Sequence, residues 1–259
     1  VTPSDTDRLK ALGLWPVWRL RKTVAGGPGS GFDDGRDRGP VLVSGAGLSH
    51  ADRASPLPSG AGPESPSVAN LDWDGLREAI KACARCPLSG SRTQGVPGVG
   101  DVNAEWLFIG EAPGADEDRL GEPFVGQAGK LLDAMLAGIG LGRGKNVYIA
   151  NVLKSRPPGN RDPRPEEVAA CLPYLERQID LLHPRLIVVL GRIAAQTLLV
   201  TDTPIGRLRG HVHQYRGVPM VVTYHPAYLL RNPADKAKVW EDLVLARETM
   251  QGLKTGPAA

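Results

Sequence analysis

Four short runs rich in β-branched and aliphatic residues recur along the latter part of the chain: EWLFIG at 105–110, NVYIAN at 146–151, RLIVVL at 185–190 and VPMVVTY at 218–224. Each is too short for a helix and is bounded by polar or turn-forming residues, which predicts buried strands. A different period runs through 166–182, where Val168, Leu172, Leu175, Ile179 and Leu182 fall on one helical face behind Pro165, a residue suited to a first helical turn. Further helices are predicted over 73–84, 126–139, 193–199 and 234–250, the last announced by Asn232-Pro233. Strands alternating with helices predict an α/β fold, a three-layer α/β/α sandwich around a central four-stranded parallel sheet. In such sheets the ligand site lies beyond the carboxyl ends of the strands.

The chain ahead of this pattern is different. Residues 24–70 contain 10 Gly, 6 Pro and 7 Ser, and bury too little apolar surface to offset the entropy of ordering, so they read as a disordered linker. Residues 1–23 place Trp15 and Trp18 beside Arg19, Arg21 and Lys22. Two readings stay open for them: a partner-docking peptide with aromatic anchors, or a segment folded back on the main domain. Residues 71–259 form the expected main domain.

Composition narrows the class. The 31 Lys and Arg against 28 Asp and Glu leave a net charge of +3, too even to mark a nucleic-acid binder by itself. No apolar run is long enough to span a membrane, and no apolar stretch follows the charged first residues as in a secretory signal. Three cysteines make no disulfide framework, so a reducing, cytoplasmic setting is expected, with a monomeric chain and no membrane association.

The predicted strand ends carry the chemistry. The first runs into Gly110-Glu111-Ala112-Pro113-Gly114 and then Glu117; the second ends at Asn151 and continues through Lys154-Ser155-Arg156 to Arg161; the fourth runs into His225-Pro226-Ala227. Phe124, one of only three phenylalanines, sits in a polar, Gly-rich loop after the first strand. These parts suit a flat heterocycle that is gripped and cut from a sugar. An aromatic face stacks on it, an amide reads its edge, a neutral imidazole donates to an oxygen that becomes anionic, and a carboxylate positions water and favours a cationic sugar. Each residue alone has an ordinary reading: Glu111 as a salt-bridge acid, His225 as a buried histidine, Asn151 as a loop amide, Phe124 as core, the arginines as a solvated face. Their shared placement at one sheet edge favours the joint reading.

With these motifs in view, residues 71–250 resemble a family 4 uracil-DNA glycosylase, the iron–sulfur type. The resemblance rests on Gly110-Glu111-Ala112-Pro113-Gly114, Pro123-Phe124-Val125-Gly126, Asn151 followed by Arg156-Pro157-Pro158-Gly159-Asn160-Arg161, His225-Pro226-Ala227 and the pair Cys83, Cys86. It implies hydrolysis of the N-glycosidic bond of uracil in single- or double-stranded DNA, as in base excision repair. Phe124 would stack on a flipped-out uracil, with Gly110 and Ala112 at the binding site. Asn151 would read its edge, and His225 would stabilise charge on its oxygen. Glu111 and Glu117 would be the acids near sugar and water. Relatives without the cluster carry Asp at the place of Ala112, so the resemblance leaves two readings here: another group activates the water, or substrate phosphates and Glu111 mainly stabilise the sugar cation. Leu229 or Leu230 would wedge into the emptied stack, with Arg231, Arg156, Arg161, Arg207 and Arg209 on phosphates.

The same resemblance implies a [4Fe–4S] cluster on four cysteines. Here Cys83, Cys86 and Cys171 match, and Ser155 stands at the fourth place. Three outcomes follow: a cluster completed by Ser155 or an outside ligand, a three-iron form, or thiols that hold zinc or nothing. Two rival functions are a covalent uracil-trapping relative, which uses a histidine absent from residues 152–182, and a non-catalytic DNA-binding relative. Residues 9–21, with Leu12-Gly13 ahead of Trp18-Arg19-Leu20-Arg21, are similar to the N-terminal peptide of the clamp-loader psi subunit, which implies docking on a replisome component.

Overall fold

The computed structural model of the protein describes residues 67–255. The docking-peptide reading of residues 1–23, with its replisome partner for residues 9–21, lies outside the described residues, as does nearly all of the expected linker. The last residues assigned to that linker are folded: Val68–Asn70 form a 3₁₀ turn, and Val68 and Leu71 pack against the domain.

Helix α1 (Trp73–Lys81) starts at Asp72, whose carboxylate accepts the Gly75 N–H at 2.8 Å and satisfies one free donor of the first turn. Its buried Leu76 and Ile80 meet Tyr174. A two-residue strand β1 (Val99–Gly100) precedes β2 (Trp106–Gly110), and α2 (Ala115–Leu120) and α3 (Gln127–Gly138) follow. Strand β3 (Val147–Asn151) leads through the Arg-Pro-Pro segment into α4 (Pro165–Leu182), then β4 (Leu186–Leu190) and α5 (Arg192–Leu199). A short α6 (Ile205–Leu208), the hairpin β5 (Val212–Tyr215) and β6 (Val218–Thr223), α7 (Pro226–Arg231) and α8 (Lys236–Thr255) complete the domain.

The sheet order is β1-β3-β2-β4-β6-β5. The four predicted strands, β3, β2, β4 and β6, are mutually parallel and form its centre. Two antiparallel edge strands, β1 and β5, extend the sheet beyond the expected four. Neither carries an apolar alternation, because edge strands bury little and need none. The β5–β6 hairpin closes on Arg216-Gly217, both at positive φ (50° and 79°), the two-residue turn that matches strand twist.

Alternation along the strands builds two cores. Phe108, Ile149, Val188 and Val221 face α3, α7 and α8, while Leu107, Ile109, Ile187 and Val222 face α4 and α5. This is the expected three-layer sandwich. Strand β2 has β3 on one side and β4 on the other, so the chain reverses its direction of winding there. That switch opens a crevice at the carboxyl ends of the strands.

Candidate active site

The crevice is a cavity of about 410 Å³, lined among others by Glu111, Glu117, Phe124, Asn151, His225 and Arg231. The residues proposed to grip, read and relieve a base therefore share one space.

Gly110 and Asn151 pair across β2 and β3 at the floor. A Cβ at Gly110 would collide with Asn151 Oδ1 and with the Phe124 ring, so only glycine lets both side chains meet over the strand end. Asn151 is 3 % exposed, and its Oδ1 has no hydrogen-bond partner. An unpaired buried acceptor costs free energy, which is a recurring mark of a ligand site.

Phe124 sits in the left-handed region, φ 57°, an outlier for a bulky residue. Its neighbours hold it there. Glu117 accepts the N–H groups of Val125 (2.9 Å) and Gly126 (3.2 Å) on Oε1 and that of Gly114 (3.1 Å) on Oε2. Arg143 donates to the carbonyls of Pro123 (3.0 Å) and Phe124 (2.8 Å) and to Asp133 (3.0 Å). Glu117 thus lines the cavity while its carboxylate organises the loop that presents Phe124.

His225 caps α7, its Nδ1 accepting the Ala227 N–H at 3.1 Å. That bond places the ring proton on Nε2. Desolvation and the charge of Arg231 push the imidazole down to about 4, so at neutral pH it is an uncharged donor. Its ring lies 5.4 Å from that of Phe124, at 29°. Gly191, at φ 100°, lets the end of β4 pass against the His225 side chain.

Burial and the nearby Asp162 raise the Glu111 carboxyl to about 7, against an opposing pull from Arg192. Asp162 also lines the cavity and pairs with Arg192 at 2.9 Å. Sequence reasoning passed over Asp162 although it directly follows Arg161.

The residues expected on DNA divide sharply. Leu229 is 1 % exposed and packs in the core under α7, so it is no wedge; Leu230 is 48 % exposed. Arg231 is exposed at the cavity rim, and Arg207 is exposed on α6. Arg156 donates to Asn160 at 2.7 Å. Arg161 lines the cavity but is held by both oxygens of buried Glu167. Arg209 does not line the cavity; its guanidinium is bound by Asp242 (3.0 Å) and Glu241 (3.1 Å) and lies over Tyr224, which ties α6 to α8.

Beside this site lie the three cysteines. Cys171 is buried, Cys83 and Cys86 half-buried, and both lie near enough to Cys171 to raise its thiol, behind the larger effect of burial. Cys171 Sγ accepts the Lys154 N–H at 3.3 Å. At the fourth place, Ser155 Oγ accepts from Arg92 at 2.6 Å, and the same guanidinium bonds the carbonyls of Lys81 (2.8 Å) and Cys83 (2.7 Å). The corner therefore offers three thiols and a hydroxyl already engaged by a cation. Among the described residues no three His, Cys, Asp or Glu side chains converge as a single metal ion would require.

Comparison with known proteins matches residues 97–244 to the family model of the uracil DNA glycosylase superfamily. The chain is 50 % identical over 168 residues to a type-4 uracil-DNA glycosylase of Archaeoglobus fulgidus, covering 62 % of this chain and 84 % of that protein. It is 45 % identical over 183 residues to the type-4 enzyme of Pyrobaculum aerophilum, covering 68 % and 93 %. With the type-4 enzyme of Thermotoga maritima it shares 42 % over 176 residues, covering 66 % and 91 %.

Proposed function

The chain belongs to the uracil-DNA glycosylase superfamily, and from that membership we propose how its cavity takes a uracil swung out of DNA and cuts it from the sugar. The protein is a DNA-repair hydrolase that removes uracil by breaking its N-glycosidic bond and leaves an abasic site. The observation that carries the detailed reading is the unpartnered Oδ1 of buried Asn151, in a cavity shared with the Phe124 ring and a neutral imidazole.

Uracil presents an N3–H donor between two carbonyl acceptors. Asn151 Oδ1 accepts from N3–H and its amide nitrogen donates to O4, an arrangement that cytosine cannot satisfy. Phe124 stacks on the base. His225 Nε2–H donates to O2, where negative charge collects as the bond breaks; such a fixed donor is worth roughly 10²–10³ in rate. Glu111, when ionised, favours the cationic sugar and positions the attacking water, the role left open by Ala112. Extrusion of the base costs a few kcal/mol, which Leu230 offsets by filling the stack while Arg231 and Arg207 meet phosphates.

Cys83, Cys86 and Cys171 would hold an iron–sulfur cluster on three thiolates rather than four, a reading supported by the type-4 relatives and by the nearness of the three thiols. When bound, such a group would cross-link the loop of Cys83 and Cys86 to helix α4. A reducing cytoplasm suits these free thiols. Among the described residues no helix is long and apolar enough to cross a membrane.

The test is incubation with a uracil-containing single strand followed by alkaline cleavage of abasic sites, for the wild type beside Asn151→Ala and His225→Ala. Strand scission by the wild type and its steep loss in both variants is expected. An intact strand points to a binding module, and a protein–DNA band that survives denaturation points to a covalent trap; either outcome overturns the hydrolytic reading.

A further inference from the structure

Lys154 is 1 % exposed, and nothing in the proposed chemistry uses it. A lysine is almost never buried without partners. Its side chain turns back along the chain, and Nζ donates to the main-chain carbonyl of Asn151 at 2.6 Å and to Gln178 Oε1 at 2.6 Å. Gln178, itself 1 % exposed on α4, donates onward to the Pro97 carbonyl. The Lys154 main chain is pinned as well: its carbonyl accepts the Val96 N–H at 2.8 Å, and its N–H donates to Cys171 Sγ.

The place of this bond matters. The main chain of Asn151 pairs with β2 through the Gly110 register, and the next two residues donate to the carbonyls of Gly110 (2.9 Å) and Glu111 (3.0 Å). The carbonyl of Asn151 is bonded by the amine of Lys154. The peptide bearing the reading amide is therefore held from behind by a buried donor that is anchored in α4.

We propose that Lys154 is a positioning residue for base recognition: its amine fixes the Asn151 peptide, and through it the aim of the amide that reads the pyrimidine. This rests on the reading of the cavity as a uracil site. Lys154 touches no substrate; it acts through Asn151. Removing it orphans the Asn151 carbonyl and Gln178 Oε1, which is relieved only if the Asn151 peptide tilts. A site built to hydrogen-bond a base loses most when its polar groups are misaimed.

The probe is free uracil, measured as a competitive inhibitor of strand cleavage and as a ligand by calorimetry. Lys154→Met keeps the apolar stem and removes the donor. Uracil affinity is expected to fall about tenfold, while affinity for undamaged single-stranded DNA stays within twofold. Ile179→Ala, a core truncation on the same helix, serves as the stability control; it lowers the melting temperature and leaves uracil affinity unchanged. Lys154→Gln, which retains N–H donors, recovers part of the loss. Should Lys154→Met not fold, Gln178→Met carries the test, because it frees the amine from its outer anchor; a threefold or greater loss of uracil affinity is expected. Unchanged uracil affinity in the folded Lys154 or Gln178 variant overturns the proposal, as does an equal loss in Ile179→Ala. A wild type that neither cleaves uracil DNA nor binds uracil overturns the underlying reading instead.

Discussion

The sharpest consequence of the site concerns Glu111 and pH. Burial in the cavity wall and the neighbouring Asp162 lift its carboxyl from the usual carboxylate range to about 7. The proposed chemistry needs the ionised form, so kcat/KM must climb as pH rises through that value. With a pKa near 7 about one-eleventh of the carboxyl is ionised at pH 6 and about ten-elevenths at pH 8, so the rate constant rises roughly tenfold across that window. His225 titrates near 4 and contributes no break there. Buried Lys154 is pushed down to about 7, but Glu111→Gln leaves it in place, so the difference between wild type and variant isolates Glu111. The variant is expected to lose roughly 10²–10⁴ in rate and to lose the rise. Asp162→Asn removes the like charge and frees Arg192, so the break moves to lower pH. Stability supplies a second readout. A folded pKa above the unfolded one means that this group's contribution is full below the ordinary glutamate range and is lost as pH rises through about 7. Glu111→Gln therefore melts higher than wild type at pH 8 and not at pH 5. A wild-type profile that is flat from pH 5.5 to 8.5, with uracil release intact, would refute this reasoning.

Asn151→Asp exchanges the amide donor for an acceptor, so uracil release falls at least about 100-fold and any residual activity shifts toward cytosine, read by chromatography of released bases. Leu230→Ala is expected to leave the melting temperature unchanged and to slow excision from duplex DNA more than from single strands, whereas Leu229→Ala costs about 2–5 kcal/mol of stability by denaturant unfolding. Ser155→Cys places a fourth sulfur at the corner now held by Arg92; iron and acid-labile sulfide per chain, and their retention in air, rise above those of the wild type, and an iron-free protein in both forms rules out the three-thiolate cluster.

Much of this protein is local in its logic and could be read along the chain. The four parallel strands are continuous apolar runs because both of their faces are covered, and their ends carry Glu111, Asn151 and His225 because an open α/β sheet leaves that edge free. The three cysteines are likewise legible in composition, whereas Ser155 as a fourth ligand place follows only from the resemblance to the family. What tertiary structure alone decided is which side chains are available. Arg161 and Arg209 read as phosphate contacts until Glu167 and Asp242 turn up against them, and no local pattern announces the Arg209–Asp242 pair across 33 residues. Leu229 and Leu230 are chemically identical neighbours, yet successive residues on a helix lie about 100° apart, so the docking of α7 buries one and exposes the other. The clamp of Glu117 and Arg143 on the Phe124 loop, and the bond from Gln178 on α4 that anchors the Lys154 amine, are likewise through-space bonds. Hydrophobic period is encoded residue by residue, whereas the pairing of a charge or a buried polar atom is settled only when distant segments meet.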